Sequence, residues 1–149
     1  MFIEFCEDFD CFPVIFTANQ SVNGERLPIY HTNVMMALAE NFVVICPDTI
    51  DDKKERKNVL DHLKKDGREI IAITEKQMHH FAGNMLQVLG SNDKRYMVMS
   101  SAAYNSLTPL QISQIENHCP ILHSSLDTIE TCGGGSARCM MAEVFLPRS

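Results

Sequence analysis

Ala82–Gly83–Asn84–Met85–Leu86–Gln87–Val88–Leu89 lies midway between two segments that look like it, His31–Thr32–Asn33–Val34–Met35–Met36–Ala37–Leu38 and Arg138–Cys139–Met140–Met141–Ala142–Glu143–Val144. Aligned on the first strand of each expected hairpin, Asn33 precedes Asn84 by 51 residues and Asn84 precedes Cys139 by 55. A repeat of about that period with β–turn–β–α–β content predicts stacked modules around an axis. Two hairpins and the first strand of a third fit the length. Equivalent ends of repeated strands converge on such an axis, so His31 and Cys139 can meet despite the 108 residues between them.

The elements around these segments follow the same rhythm. Pro13–Ala18 reads as a short β-rich run closed by the polar turn Asn19–Gly24. Ile29–Leu38 and Phe42–Cys46 read as paired strands turning at Ala39–Glu40–Asn41. A helix starts at Asp51, carries Val59, Leu60 and Leu63 on one face, and stops at Gly67; the buried strand Glu69–Ile73 follows. In the next module, Glu75–Phe81 reads as a short helix and Gly83–Leu89 as a strand. Ser91–Lys94 is the turn and Tyr96–Ser100 the partner strand. Thr108–Pro109 caps a helix running to about His118, and Ile121–His123 is the closing strand. Asp127–Glu130 leads into a glycine-rich loop, and Cys139–Leu146 reads as a final strand. No linker or composition break separates these pieces, so residues 1–149 are expected to form a single α/β domain.

Composition narrows the partners. Apolar residues make up 45% and charged ones 21% of the chain, ordinary for a soluble globular protein. The net charge of −6, with Lys and Arg scattered or paired with acids, argues against nucleic acid, which wants a concentrated basic face. No apolar run is long enough to span a bilayer. The N-terminus lacks the basic stretch of a signal peptide, and the six cysteines contain no C-x-x-C pair. A cytoplasmic protein with reduced thiols is expected. No Cys/His combination has zinc-ligand spacing, and adjacent His79 and His80 would point about 100° apart on a helix. We expect no metal and no organic cofactor.

The chemistry centres on Thr131–Cys132–Gly133–Gly134–Gly135–Ser136–Ala137–Arg138–Cys139. Three consecutive glycines disfavour a regular element by about 0.5–1 kcal/mol each, so they suit a sharp turn or a close backbone approach. Two readings of Cys139 stay open at this point: a nucleophile at the seam of loop and strand, or a structural turn followed by a buried thiol. A cysteine nucleophile wants a histidine to move protons. His31 is the first candidate and His123, nearer the glycine loop, a weaker second. His62 and His118 read as polar helix surface, and the nine methionines as adaptable core filler.

With Tyr30–Ala37 and Glu130–Glu143 in hand, the chain resembles the amidinotransferase/arginine deiminase superfamily, in particular its arginine deiminase-related, citrulline-hydrolase-like branch. Phe81–Leu86, Met97–Tyr104 and Leu126–Glu130 also match, so the resemblance runs from Pro13 to Leu146. It implies a pentein fold, a propeller of five ββαβ modules, of which this chain would supply about half, the C-terminal part. It also implies hydrolysis at a guanidine or ureido carbon of an arginine- or citrulline-like compound. Cys139 would be the nucleophile and His31 the general acid and base, with Asn33, Gly134 and Gly135 at the substrate. Many deiminases carry His-x-Asp where this chain has His31–Thr32–Asn33. An amide lacks that charge, which points to weaker cation binding or to a neutral ureido group.

The family's acidic guanidinium-holding residues lie largely in an N-terminal half with no counterpart here; Glu7, Asp8 and Asp10 do not match that motif. Exposed strand edges and apolar surface are therefore expected where further modules would dock, giving a homo-oligomer or association with a separate N-terminal half. Two other readings remain: a non-catalytic propeller half whose role is association, and a redox thiol pair of Cys139 and Cys132.

Overall fold

The computed structural model describes residues 2–90 and 93–143. The chain opens with helix α1 (Phe2–Asp8). Pro13–Ala18 forms no strand; Val14, Phe16 and Ala18 pack on the core as irregular chain. Pairing starts one step later, with β1 (Asn19–Val22) antiparallel to β2 (Glu25–Pro28). Asn23 and Gly24 join them at φ values of 52° and 84°. An Asn-Gly pair supplies the two left-handed residues a tight hairpin requires. The segment expected to be only a turn is therefore mostly strand.

Arg26 pins this hairpin to the body. Its guanidinium donates to Glu75 Oε1 at 2.5 Å, Asp51 Oδ1 at 2.5 Å and the Asp48 carbonyl at 3.2 Å. The Ser21 amide donates to the other Glu75 oxygen at 2.9 Å. Hydrogen bonds from Asn19 and then Arg26 hold the Asp51 carboxyl below its usual range. Burial alone would raise Glu75, but Ser21 and Arg26 outweigh it and hold that carboxyl low as well. Both acids thus sit below their unfolded values, so docking is complete above about pH 4 and is lost as pH falls through the lower folded values. Arg26→Ala is expected to speed hydrogen exchange at the Ser21 amide several-fold at neutral pH. At pH well below 4, wild type and variant should exchange alike.

Two sheets of identical order follow. In the first, β3 (Met36–Leu38) pairs antiparallel with β4 (Phe42–Ile45), which pairs parallel with β5 (Glu69–Ala72). In the second, β6 (Leu86–Leu89) pairs antiparallel with β7 (Arg95–Ser100), which pairs parallel with β8 (Ile121–Ser124). A parallel neighbour demands a crossover, and helices supply it. After β3, the elements before β5 include α3 (Lys53–Lys65), preceded by the single helical turn α2 (Thr32–Met35) ahead of β3. Beyond β5 and α4 (Glu75–Met78), helices α5 (Ser101–Ser106) and α6 (Pro109–Glu116) make the second crossover. The ββαβ unit therefore occurs twice.

Local signals set the helix ends. Asp52 caps α3 by accepting from the Lys54 and Glu55 amides, and His62, Lys64 and Lys65 occupy its negative end. Val59 of α3 is buried, with Leu60 and Leu63 packed on the core, and Gly67 at φ 79° ends the run. Thr74–Gln77 and Thr108–Gln111 are both capping boxes. The two glutamines bond each other, and Gln111 also reaches the Ala72 carbonyl at 2.6 Å, so the caps join α4 to α6.

All four residues of β4 are fully buried, as the central strand of a covered sheet should be. The modules are stitched at their edge: the Glu40 amide donates to Gln87, Arg95 pairs with Glu40, and Gln114 donates to Glu69. His118, expected on the surface, instead stacks on Phe42 with centroids 4.9 Å apart and meets Glu69 at 2.9 Å.

Three strand expectations shorten. Ile29–Leu38 pairs only from Met36, because Thr32–Met35 coils to bury Met35 completely. Gly83–Leu89 pairs only from Leu86. Cys139 does not begin a strand: Arg138–Met140 is a 3₁₀ turn α-carbon path closed by Met140 N–H to the Ala137 carbonyl and Met141 N–H to the Arg138 carbonyl. Residues 141–143 form no strand either; positions 144–146 of that expected strand, and the tip of the Ser91–Lys94 turn, lie outside the described residues. No described helix is long and apolar enough to cross a membrane.

Candidate active site

A pocket of about 430 Å³ opens where the equivalent ends of the repeated segments meet. His31, Asn33, Gly134, Gly135 and Cys139 all line it, joined by Asn84. His31 is the residue before α2 and has extended backbone (φ −140°, ψ 136°); its side chain makes no cap bond, and its ring lies 4.8 Å from that of Tyr30. Asn33 follows on the single turn of α2 and is half-buried.

The glycines do three different jobs. Helix α7 (Asp127–Gly133) ends at Gly133; Gly134 caps it at φ 67°, the left-handed conformation glycine adopts freely. Gly135 provides the close approach: a Cβ there would lie 3.2 Å from Cys139 Cβ and 3.3 Å from its Sγ. The loop is closed by Ser136 Oγ donating to Glu130 at 2.6 Å and by the Cys139 amide donating to the Ser136 carbonyl at 3.1 Å. Cys139 is exposed to the pocket, unlike Cys6, Cys46 and Cys119, which are buried. Burial pushes the Cys46 thiol up to about 11, so it stays protonated and inert. Gly135→Ala is expected to leave the thermal midpoint nearly unchanged yet displace the thiol by a few tenths of an ångström. Its signature is a slower alkylation of Cys139, by about tenfold to a hundredfold, with Cys132 unaffected.

Asn84 is the residue sequence reasoning passed over. It is 4% exposed, and its amide donates to Cys139 Sγ at 3.1 Å and to the Asn33 carbonyl at 3.2 Å. Its Oδ1 accepts from the Arg138 amide at 3.0 Å. The alignment that put Asn84 opposite Asn33 and Cys139 was the signal. Gln20, His79 and Phe81 also line the pocket, brought there by the hairpin and by the turn after α4. Phe81 sits at φ 65°, an uncommon conformation for an aromatic residue. It occupies the left-handed position that ends α4, with the Ala82 amide bonded back to the Gln77 carbonyl.

His123 is not part of this pocket: on β8 it stacks on Tyr104 at 4.1 Å and meets Ser101 Oγ at 3.0 Å. Cys132 lies outside the lining as well. Among the described residues no carboxylate lines the pocket, and no group of three His, Cys, Asp or Glu is placed to hold a metal ion. Glu4 and Glu7 line a larger neighbouring groove of about 820 Å³ that shares Tyr30 and His31.

Residues 1–146 match the model of a family described as N,N dimethylarginine dimethylhydrolase, eukaryotic. No match was found among curated proteins. Among solved structures, the chain is similar to the apo form of ArgZ, an arginine dihydrolase from the ornithine–ammonia cycle in cyanobacteria. The TM-score is 0.58 and the identity 18%, over 79% of this chain and 17% of that one. At that identity the likeness concerns the fold, and the chain spans less than a fifth of the cyanobacterial protein's length. The family match agrees with the superfamily that the two motifs resemble, while the family matched is the dimethylarginine dimethylhydrolases. The chain belongs to the eukaryotic N,N-dimethylarginine dimethylhydrolase family.

Proposed function

We propose that the pocket hydrolyses a C–N bond at the guanidine or ureido carbon of an arginine derivative. Cys139 attacks that carbon and forms a C–S bond; His31 delivers a proton to the departing amine as the C–N bond breaks. Water then attacks the same carbon, His31 takes its proton, and the thiol is released. The observation that carries this reading is the convergence of Cys139, His31 and Asn33 on one pocket from positions up to 108 residues apart. Family membership supports the substrate class.

The lining favours an uncharged ureido head group over a guanidinium. Two imidazoles, of His31 and His79, line the pocket, and Asn33 stands there where many deiminases carry an acid. Asn33→Asp is expected to tighten guanidinium binding by about tenfold and weaken ureido binding, read from KM for each substrate. Unchanged preference would remove Asn33 from substrate recognition. Gly134 and Gly135 would present backbone to the substrate.

The experiment for the reaction itself is labelling by a haloacetamidine. One equivalent is expected to attach at Cys139, and much more slowly in His31→Ala. Slow, uniform reaction of Cys11, Cys132 and Cys139 would discard the enzyme reading. Ammonia or amine release from arginine, citrulline and methylated arginines then identifies the substrate.

A second reading rests on the surface. Phe12 is 97% exposed, Tyr30 72% and Ile15 58%, and Ile15 and Tyr30 line the larger groove that shares His31. Exposed apolar side chains of this kind suit association with another chain, either a second copy or the remaining modules of a propeller. Size-exclusion chromatography with light scattering tests it; a well-behaved monomer at micromolar concentration would count against it.

A further inference from the structure

We infer that Asn84 is a positioning residue that holds and electrostatically prepares the Cys139 sulfur, an inference that rests on the nucleophile role proposed above. Three bonds fix the side chain. Oδ1 faces the Arg138 amide at 3.0 Å, and Nδ2 faces the Asn33 carbonyl at 3.2 Å. These two partners set which end of the amide is which, so it is an N–H that faces Cys139 Sγ at 3.1 Å.

That donor has two consequences. An N–H aimed at the sulfur fixes where the sulfur sits and offers a donor to negative charge developing on it as it reacts. The same side chain links Asn33 of the first module, its own second module and Arg138 in the turn after the glycine loop. It therefore fixes the distance between the nucleophile's loop and the turn that carries His31 and Asn33. Gly83, immediately before it, lets the backbones approach: a Cβ there would fall 2.3 Å from the Val34 carbonyl oxygen. Backbone packing thus sets the anchor, and the anchor sets the thiol.

The test is the rate of Cys139 alkylation by iodoacetamide, a neutral reagent, mapped by mass spectrometry in wild type, Asn84→Asp and Asn84→Ala. Cys132, exposed at the end of α7, serves as the reference thiol in the same chain. Circular dichroism and the thermal midpoint report folding. Asn84→Asp keeps the acceptor for Arg138 but puts a carboxylate against sulfur. It is expected to slow Cys139 about tenfold or more at neutral pH and to move the rise of its pH profile upward. Asn84→Ala removes the donor without adding charge, and its slowing should be smaller but in the same direction. Cys132 is expected to react as in wild type in both. With substrate, the loss should fall on kcat more than on KM.

Wild-type Cys139 alkylation and pH profile in either folded variant would overturn the inference. Equal slowing of Cys132 and Cys139 would also overturn it, by making Asn84 merely structural. Failure of the hydrolase reading is seen separately, as absent turnover and absent amidine labelling in the wild-type protein.

Discussion

Gly83→Ala is expected to be the most destabilising single-methyl addition in the chain. The added Cβ would sit 2.3 Å from the Val34 carbonyl oxygen and 2.9 Å from the carbonyl carbons of Val34 and Met35. All three atoms are backbone, in a turn whose Met35 is fully buried, so no rotamer change relieves the clash. One module must move away from the other, opening the seam between two sheets that share a single core. Overpacking of this kind destabilises by about 1–3 kcal/mol, and a backbone clash belongs at the upper end or beyond. In a chain of this size that lowers the thermal midpoint by roughly 10 °C. Gly133→Ala is the matched control: nothing lies within 4 Å of its Cβ, and a change within about 0.5 kcal/mol is expected. Thermal melts followed by circular dichroism read both. A Gly83→Ala midpoint equal to wild type would mean that the modules do not pack through this contact. Because Asn84 follows directly, Gly83→Ala should also slow Cys139 alkylation.

The repeat was legible because each module buries its own hairpin and strand with the same local signals. Phe42–Ile45 and Met97–Ser100 are short runs rich in buried apolar residues, and Asp52, Thr74 and Thr108 are good helix caps. What escaped is where short range and long range disagree. Asn23–Gly24 demands a hairpin, yet its strands are mostly exposed and carry no apolar alternation, since Arg26 docks them by charge. Cys139–Met140–Met141 looks strand-like, but consecutive i−3 bonds wind it into a tight turn that lifts the thiol into the pocket. The second-ranked histidine could not be placed from the chain alone. His123 and Met99 are opposite each other in parallel strands, and the pairing turns His123 to Ser101 and Tyr104 rather than to the glycine loop. His79 reaches the pocket because α4 stops after a single turn and Phe81 reverses the chain. Asn84 was visible as a repeat position, but its three partners lie 51 residues before it and 54 and 55 after it, and only their docking shows that one amide serves them all.

Cys139→Ser is expected to abolish turnover, by about 10⁴-fold or more, while leaving the thermal midpoint close to wild type. The stability side follows from position: Cys139 is exposed, and the loop around it is held by Ser136 on Glu130 and by backbone bonds that a serine retains. The chemical side follows from the role proposed for Cys139. A serine hydroxyl is far harder to ionise than a thiol, and the sulfur here has an amide donor 3.1 Å away and room left by Gly135, where an added Cβ would lie 3.3 Å from Sγ. No other cysteine can substitute. Cys6, Cys46 and Cys119 are buried, and exposed Cys11 and Cys132 lie outside the pocket lining. Cys132→Ser should therefore retain turnover within about twofold, which separates hydrolysis from a thiol-pair redox reaction that would need both sulfurs. Product release from citrulline, arginine and methylated arginines, measured for both variants alongside wild type, decides the matter. Equal loss in Cys132→Ser and Cys139→Ser would replace the hydrolase with a dithiol; turnover surviving in Cys139→Ser would move the nucleophile elsewhere.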